Sequence, residues 1–164
     1  MTRSEKSSLT AEVLRHAFGL FPSGVTAVCG IVDGHPAGLA ASSFTSVSLD
    51  PPLVSVCIAH TSSTWPILRR CRRLGVSVLA HDHGPVARQL AAKHVERFQD
   101  VAWEATEGGA VFLQNAALWL ECSVTREVSA GDHNIVLLDV AAAMPYPDIT
   151  PMVFHSSKFR SLAS

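Results

Sequence analysis

GLAASSFTSVSLDPPLVSVCI, residues Gly38 to Ile58, begins as a strand and passes into a run where small and hydroxylated side chains dominate (Ala40, Ala41, Ser42, Ser43, Thr45, Ser46, Ser48). It turns at Asp50-Pro51-Pro52 and resumes as a strand rich in Val and Leu. Ser and Thr in such a run satisfy their own backbone or offer donors to something else, and the lack of bulk lets a flat molecule approach main-chain amides. A hydroxyl-rich segment set between two strands therefore suits a planar ligand with polar edges.

Working upstream, Val25 to Val32 is a β-rich run closed by Asp33-Gly34, a strong hairpin signal, so it pairs antiparallel with His35 to Ala40 and delivers the chain into the central stretch. Before it, Thr10 can cap a helix whose apolar positions Val13, Leu14, Ala17, Phe18 and Phe21 share one face, with Glu12 in the first turn and Pro22 and Gly24 ending it. Downstream, Ser62-Ser63-Thr64-Trp65-Pro66 opens a helix running to about Arg73, and Gly75 to Ala80 is a buried strand. A further helix is expected from Pro85 to about His94, and residues 95–115 read as irregular. Leu118, Leu120, Cys122 and Val124 alternate with Trp119, Glu121, Ser123 and Thr125, the period of a half-buried strand, and Gly131-Asp132 turns the chain into a last strand, Asn134 to Ala143. Five or six strands joined mostly by hairpins predict a mainly β protein with short helices, an antiparallel barrel rather than a doubly wound parallel sheet.

The 164 residues make one domain, expected over residues 10–164, with residues 1–9 a disordered tail that carries no signal or membrane-anchor pattern. A net charge of −1 without a dominant basic region removes the electrostatic footprint of a nucleic-acid binder. Cys29, Cys57, Cys71 and Cys122 stand far apart with no C-x-x-C pair, which argues for reduced thiols, a cytoplasmic location and no zinc site. His81-Asp82-His83, even with His60, lacks a third ligand at fixed spacing, so no metal site is expected. No G-x-G-x-x-G follows a strand, so a Rossmann nucleotide site is not supported.

Gly38 to Val54 is similar almost residue for residue to the GLTASSFTSVSLDPPLV-type signature of the short-chain flavin reductases, which supply reduced flavin to two-component monooxygenases. Ser62-Ser63-Thr64 and Gly131-Asp132-His133 follow in that family's order, and the resemblance covers roughly Phe18 to Leu162. It implies an FMN-binding split barrel, usually a homodimer with flavin near the subunit interface, using FMN or FAD and NADH or NADPH. Within Ala41 to Val47 it places Ala41, Ser42, Ser43, Ser46 and Val47 at the isoalloxazine edge. Ser62, Ser63 and Thr64 are implied to hold the ribityl phosphate, a role compatible with capping the helix that follows. Arg97, in an Arg-Phe pair with Phe98, is implied to contact flavin or the dimer partner, and His133 the nicotinamide. Arg69, Arg70, Arg72 and Arg73 read as a solvated face from which one could reach a pyrophosphate. Leu138, Phe154 and Ser157 depart from the family pattern at positions associated with the nicotinamide and the outer flavin face, which bears on cofactor preference. The implied activity is NAD(P)H:flavin oxidoreduction. The alternatives are a flavin-retaining oxidoreductase acting directly on an organic substrate and a non-enzymatic flavin-binding module.

Overall fold

The computed structural model describes residues 8–163. In chain order it contains α1 (Ala11–Gly19), β1 (Ser23–Gly24), β2 (Thr26–Val32), β3 (His35–Ala41), β4 (Thr45–Leu49), β5 (Pro52–Ala59), α2 (Trp65–Leu68) and β6 (Leu74–Val78). There follow α3 (Gly84–Ala91), β7 (Trp103–Ala105), β8 (Val111–Leu113), β9 (Leu118–Ala130), β10 (His133–Pro145), β11 (Met152–His155) and β12 (Lys158–Ser161). The fold is mainly β with short helices. None of the described helices is long and apolar enough to cross a membrane.

Seven strands form one antiparallel sheet in the order β3-β2-β6-β9-β10-β5-β4. Its two edges, β3 and β4, are consecutive in sequence, so the chain leaves one edge, crosses an opening and returns as the other. Ser43 bridges that opening. Its hydroxyl accepts from the Cys57 N–H at 2.8 Å and donates to the Cys57 carbonyl at 3.2 Å, supplying with a side chain the bonds a neighbouring strand would have made. The result is a split barrel, open along the stretch that the sequence singles out.

Inside the curled sheet Val28, Val56, Leu74, Val76, Val136 and Leu138 are fully buried, and Trp65 and Leu68 of α2 close one end. A second apolar layer lies on the other face of β2, where Ala27 and Cys29 pack with Ala87 and Leu90 of α3, Phe98 and Val111. Buried on both faces, β2 needs the near-continuous apolar run it has. β1, β11 and β12 form a small sheet beside this layer, and β7 pairs with β8.

Local chemistry explains the elements. The Asp33-Gly34 turn takes positive φ at both residues, 51° and 79°, as a two-residue hairpin with the native strand twist requires. Thr10 Oγ1 accepts from Val13 N at 3.2 Å and caps α1 as expected, yet α1 has no buried residue, and Phe18 and Phe21 are 71% and 78% exposed.

Several expectations are corrected. There are more than five or six strands: Thr45–Leu49, read as part of a hydroxyl-rich segment between two strands, is itself an edge strand, and residues 95–115, read as irregular, contain the β7–β8 hairpin. The predicted helix to Arg73 ends at Leu68, because Cys71 and Arg73 must turn in to meet Ile31 and Ser123 before β6 begins. α3 likewise ends at Ala91, where Ala92 goes extended and its carbonyl is taken by Arg97. Residues 1–7 of the predicted tail lie outside the described residues.

Candidate functional site

A cleft of about 370 Å³ opens at the seam of the barrel. Its walls are the end of β3 and the following residues (Leu39 to Ser43), the end of β5 (Cys57 to Ala59), Ser62, Leu90 and Ala91 of α3, Arg97 and His133. Four separated sequence segments thus meet in one cavity. Small side chains dominate its walls at Ala40, Ala41, Ser42, Ala59 and Ala91, which leaves room for a flat ring. A narrower apolar annex of about 170 Å³ shares Ala40, Ala41, Ser42 and Ala91 with it and ends on Phe154 and Phe159. Arg88 lies over the Phe159 ring at 5.0 Å.

Arg97 organises the cleft. Nη1 donates to the Gly38 carbonyl at 2.9 Å and to Thr64 Oγ1 at 2.8 Å, and Nε donates to the Ala92 carbonyl at 3.0 Å. One guanidinium therefore ties β3, the start of α2 and the end of α3 together. Among the described residues Nη2 makes no hydrogen bond, so one nitrogen of a permanently charged group retains donors that an anion could take. Gly38 itself has no room for a side chain, since a Cβ there would run into Cys29 Sγ and press on the Phe98 ring.

Ser62 Oγ accepts from Trp65 N at 3.2 Å, capping the turn into α2 while lining the cleft. α2 is one turn long with little aligned dipole, and its first amides are already bonded, Trp65 N to Ser62 Oγ and the Ile67 and Leu68 N–H groups to the Thr64 carbonyl, with Pro66 carrying none, so the positive charge at its start comes from Arg97. His133 reaches the cleft from the start of β10. Its Nδ1 lies 2.7 Å from Asp132 Oδ1, a contact that holds the fully exposed Asp132 carboxyl below the usual carboxylate range.

The structure brings Ala41, Ser42, Ser43, Ser62, Arg97 and His133 into one cleft. Ser46, Val47, Ser63 and Thr64 do not line it. Ser46 sits on the exposed edge strand opposite Val54, and Val47 is the extra residue of a bulge between Ser46 and Ser48, which turns its half-exposed side chain outward. Ser63 is exposed, and Thr64 serves the cleft through Arg97. Sequence reasoning missed Cys57, Ala59, Leu90 and Ala91. Ala87 and Ala91, four residues apart on α3, carried a signal: two small residues on one helix face make room for something. Cys57 carried none, since a thiol in an apolar strand reads as packing.

Among the described residues no group of three or more His, Cys, Asp or Glu is placed to hold a metal ion. His83 is instead a structural acceptor, taking the Ala80 N–H at Nδ1 at 3.1 Å. The four cysteines form no disulfide, and burial pushes the Cys29 and Cys122 thiols up to about 12, which leaves them unreactive.

The chain is similar in sequence and fold to known proteins. Residues 18–163 match the family model described as flavin reductase like domain. The actinorhodin polyketide dimerase of Streptomyces coelicolor is 37% identical over 153 residues, 93% of this chain and 86% of that protein. The NADH:FAD oxidoreductase of Streptomyces globisporus C-1027, solved in complex with NAD and FAD fragments, superposes with a TM-score of 0.89 at 37% identity over 98% of each chain. The flavin reductase component of a bacterial two-component tryptophan halogenase does so with a TM-score of 0.87 at 34% identity, over 94% of this chain and 99% of that one. With its family model spanning most of the chain and its barrel seam built from the signature stretch, this protein belongs to the flavin reductase-like family.

Proposed function

We propose that the protein is an NAD(P)H-dependent flavin reductase whose reduced FMN or FAD serves a separate flavin-dependent monooxygenase. The observation that carries this reading is the convergence of Ala41 to Ser43, Ser62, Arg97 and His133 on one cleft, with small walls for a ring and a fixed guanidinium edge for a phosphate. When bound, the flavin supplies the electron chemistry, accepting at N5 the hydride that a nicotinamide carries. The chain's own part is placement. Main-chain amides around Ala41 to Ser43 present donors to the ring edge, where they favour the charge that grows on reduction. Arg97 and the segment from Ser62 to Thr64 receive the phosphate, and the pinned side chain of Arg97 has little freedom left to lose on binding. His133, oriented by Asp132, presents a donor to the nicotinamide nucleotide. No acid or nucleophile of the protein is required, because stacking the two rings in contact is what this site contributes.

Ser46 and Val47 remain part of the proposed cofactor site through a second subunit. The exposed apolar residues Phe18, Leu20, Phe21 and Leu49 offer surface that a second copy of the chain would cover, and they support a homodimer. Reduced, unpaired cysteines support a cytoplasmic setting.

A second reading, a flavin-retaining oxidoreductase acting directly on an organic substrate, is favoured by the apolar annex beside the cleft and by the relative named a polyketide dimerase. One assay separates the readings. NADH and NADPH are crossed with FMN and FAD, and nucleotide oxidation is followed with and without added flavin. Oxidation that rises with added flavin supports the reductase, flavin that stays bound and turns over only with an organic substrate supports the second reading, and bound flavin without turnover leaves a binding module.

A further inference from the structure

We propose that Asn134 is the positioning residue for His133, acting through a clamp that fixes the β9–β10 hairpin at the edge of the cleft. This rests on the reading that His133 meets the nicotinamide nucleotide. β9 and β10 are 13 residues each and turn at Gly131 and Asp132; β10 keeps β5 as its other neighbour up to His133 opposite Ala59, whereas β9 beyond Cys122 has β10 alone beside it, so the free side of the hairpin is the β9 side. A strand end paired on one side alone, as β9 is here, and the turn it leads into hold their position poorly by themselves. His133 is the first residue of β10 after that turn, so its place in the cleft depends on the turn as well as on its ladder partner Ala59.

The strand's alternation assigns neighbouring residues opposite tasks. His133 shares a face with Ile135 and lines the cleft, whereas Asn134 shares a face with Val136 and Leu138, which are fully buried. On that inner side Asn134 Nδ2 donates to Glu127 Oε2 at 3.2 Å, and Asn134 Oδ1 accepts from His60 Nε2 at 2.9 Å. Glu127 Oε1 pairs with Arg69 Nε at 3.1 Å, and the His60 N–H donates to the Asp132 carbonyl at 2.9 Å. Both strands of the hairpin and its tip are thereby tied to the β5–α2 loop and to α2, which Trp65 and Leu68 anchor in the core.

Only a carboxamide fits the middle of this chain. It gives a proton to a carboxylate and accepts one from an imidazole at the same time. Alanine would release both neighbours, and aspartate would set a second carboxylate against Glu127, whose side chain is 15% exposed. The charged and titratable groups facing Asn134 are Glu127 and His60, with Arg69 beyond Glu127 and Asp132 beyond His60. None of them touches the candidate ring site, so the clamp acts through the position of His133.

The test compares Asn134→Ala, His133→Ala and the double variant in four measurements: KM and kcat for NADH, calorimetric affinity of the flavin-bound protein for NAD+, flavin affinity, and hydrogen exchange over residues 131–135. Misplacing a contact without removing it predicts that Asn134→Ala raises KM for NADH and Kd for NAD+ about tenfold, with kcat and flavin affinity within about twofold. Exchange at the hairpin tip should accelerate. The double variant should be no worse than His133→Ala, since two residues acting through one contact are not additive. An unchanged KM in Asn134→Ala, or an effect that multiplies onto His133→Ala, overturns the proposal while leaving the nicotinamide reading intact. If His133→Ala itself leaves KM and NAD+ affinity unchanged, the nicotinamide reading fails and the clamp's proposed role falls with it. Should Asn134→Ala not fold, Arg69→Ala at the outer end must still raise KM in the same direction, and a folded Arg69→Ala with wild-type KM counts against the clamp.

Discussion

Replacing Arg97 by alanine separates two roles that one guanidinium plays. It removes three hydrogen bonds to the protein, to Gly38, Thr64 and Ala92, at 2.8–3.0 Å. Counted at about 1 kcal/mol each, because water can partly replace them at a half-buried site, the loss is about 3 kcal/mol of stability. For a chain of this size that corresponds to a fall of roughly 6–12 °C in the thermal midpoint. The same change removes a cleft-lining guanidinium whose Nη2 makes no bond among the described residues. A bond from a charged donor to a phosphate contributes about 1.5–3 kcal/mol, so flavin affinity should fall roughly 10- to 150-fold. Arg97→Lys divides the two effects: it keeps a positive charge but cannot make the forked contacts to β3, α2 and the end of α3 at once. It should regain part of the flavin affinity and little of the midpoint. Differential scanning calorimetry and fluorescence titration with FMN and FAD measure the two quantities. A midpoint within about 1 °C of wild type in both variants would refute the tie, and unchanged flavin affinity in Arg97→Ala would refute the anion site.

Replacing Ser63 and Thr64 together by alanine should weaken flavin binding by about 1–3 kcal/mol in the same titration, through lost hydroxyls and a loosened Arg97. Gly75→Ala should prevent folding or lower the midpoint sharply, because the new Cβ would run into the Val111 carbonyl, a backbone group of β8 that cannot swing aside as a side chain could. Burial pushes His83 below its ordinary 6.5, with His81 reinforcing that shift and Asp82 and the Gln114 backbone opposing it. The unfolded chain therefore takes up this proton first as pH falls, so the stability contribution is complete above pH 6.5 and is lost below it; His83→Gln should flatten that part of the midpoint against pH. Light scattering at micromolar concentration should give twice the chain mass of 17.5 kDa, and a clean monomer would remove the second subunit from the account of Ser46 and Val47.

What the sequence disclosed was local chemistry. Thr10 as a cap, Asp33-Gly34 as a hairpin and a strand from Leu118 to Val124 each depend on residues within a turn or a strand of one another, and each is present in the structure, although the half-buried alternation fails at Trp119, which is buried between Phe112 and Tyr146 on the face expected to meet water. The edge strand β4 was hidden because its Thr and Ser, set around Val47 and Leu49, belong equally to loops and to exposed strands. The shortness of α2 was hidden because what stops it is distant: Cys71 meets Ile31, and Arg73 meets Ser123. Arg97 shows the same limit at the site. Its family position was readable, yet its partners lie 33 and 59 residues away, and nothing local says that it braces the cleft as well as facing it. Likewise Ser43 was expected at a ring edge, but its hydroxyl is already engaged with Cys57 across the seam, so its contribution there falls to the backbone.

The most direct test of the central claim is a crystal structure of the protein with oxidised FMN or FAD. The account predicts the isoalloxazine ring at the barrel seam, against Ala41 to Ser43 and Cys57 to Ala59, with the phosphate nearest the ring within hydrogen-bonding distance of Arg97. Flavin bound anywhere else, for instance in the cavity lined by Glu104, Trp119 and Tyr146 on the far side of β9, would contradict it.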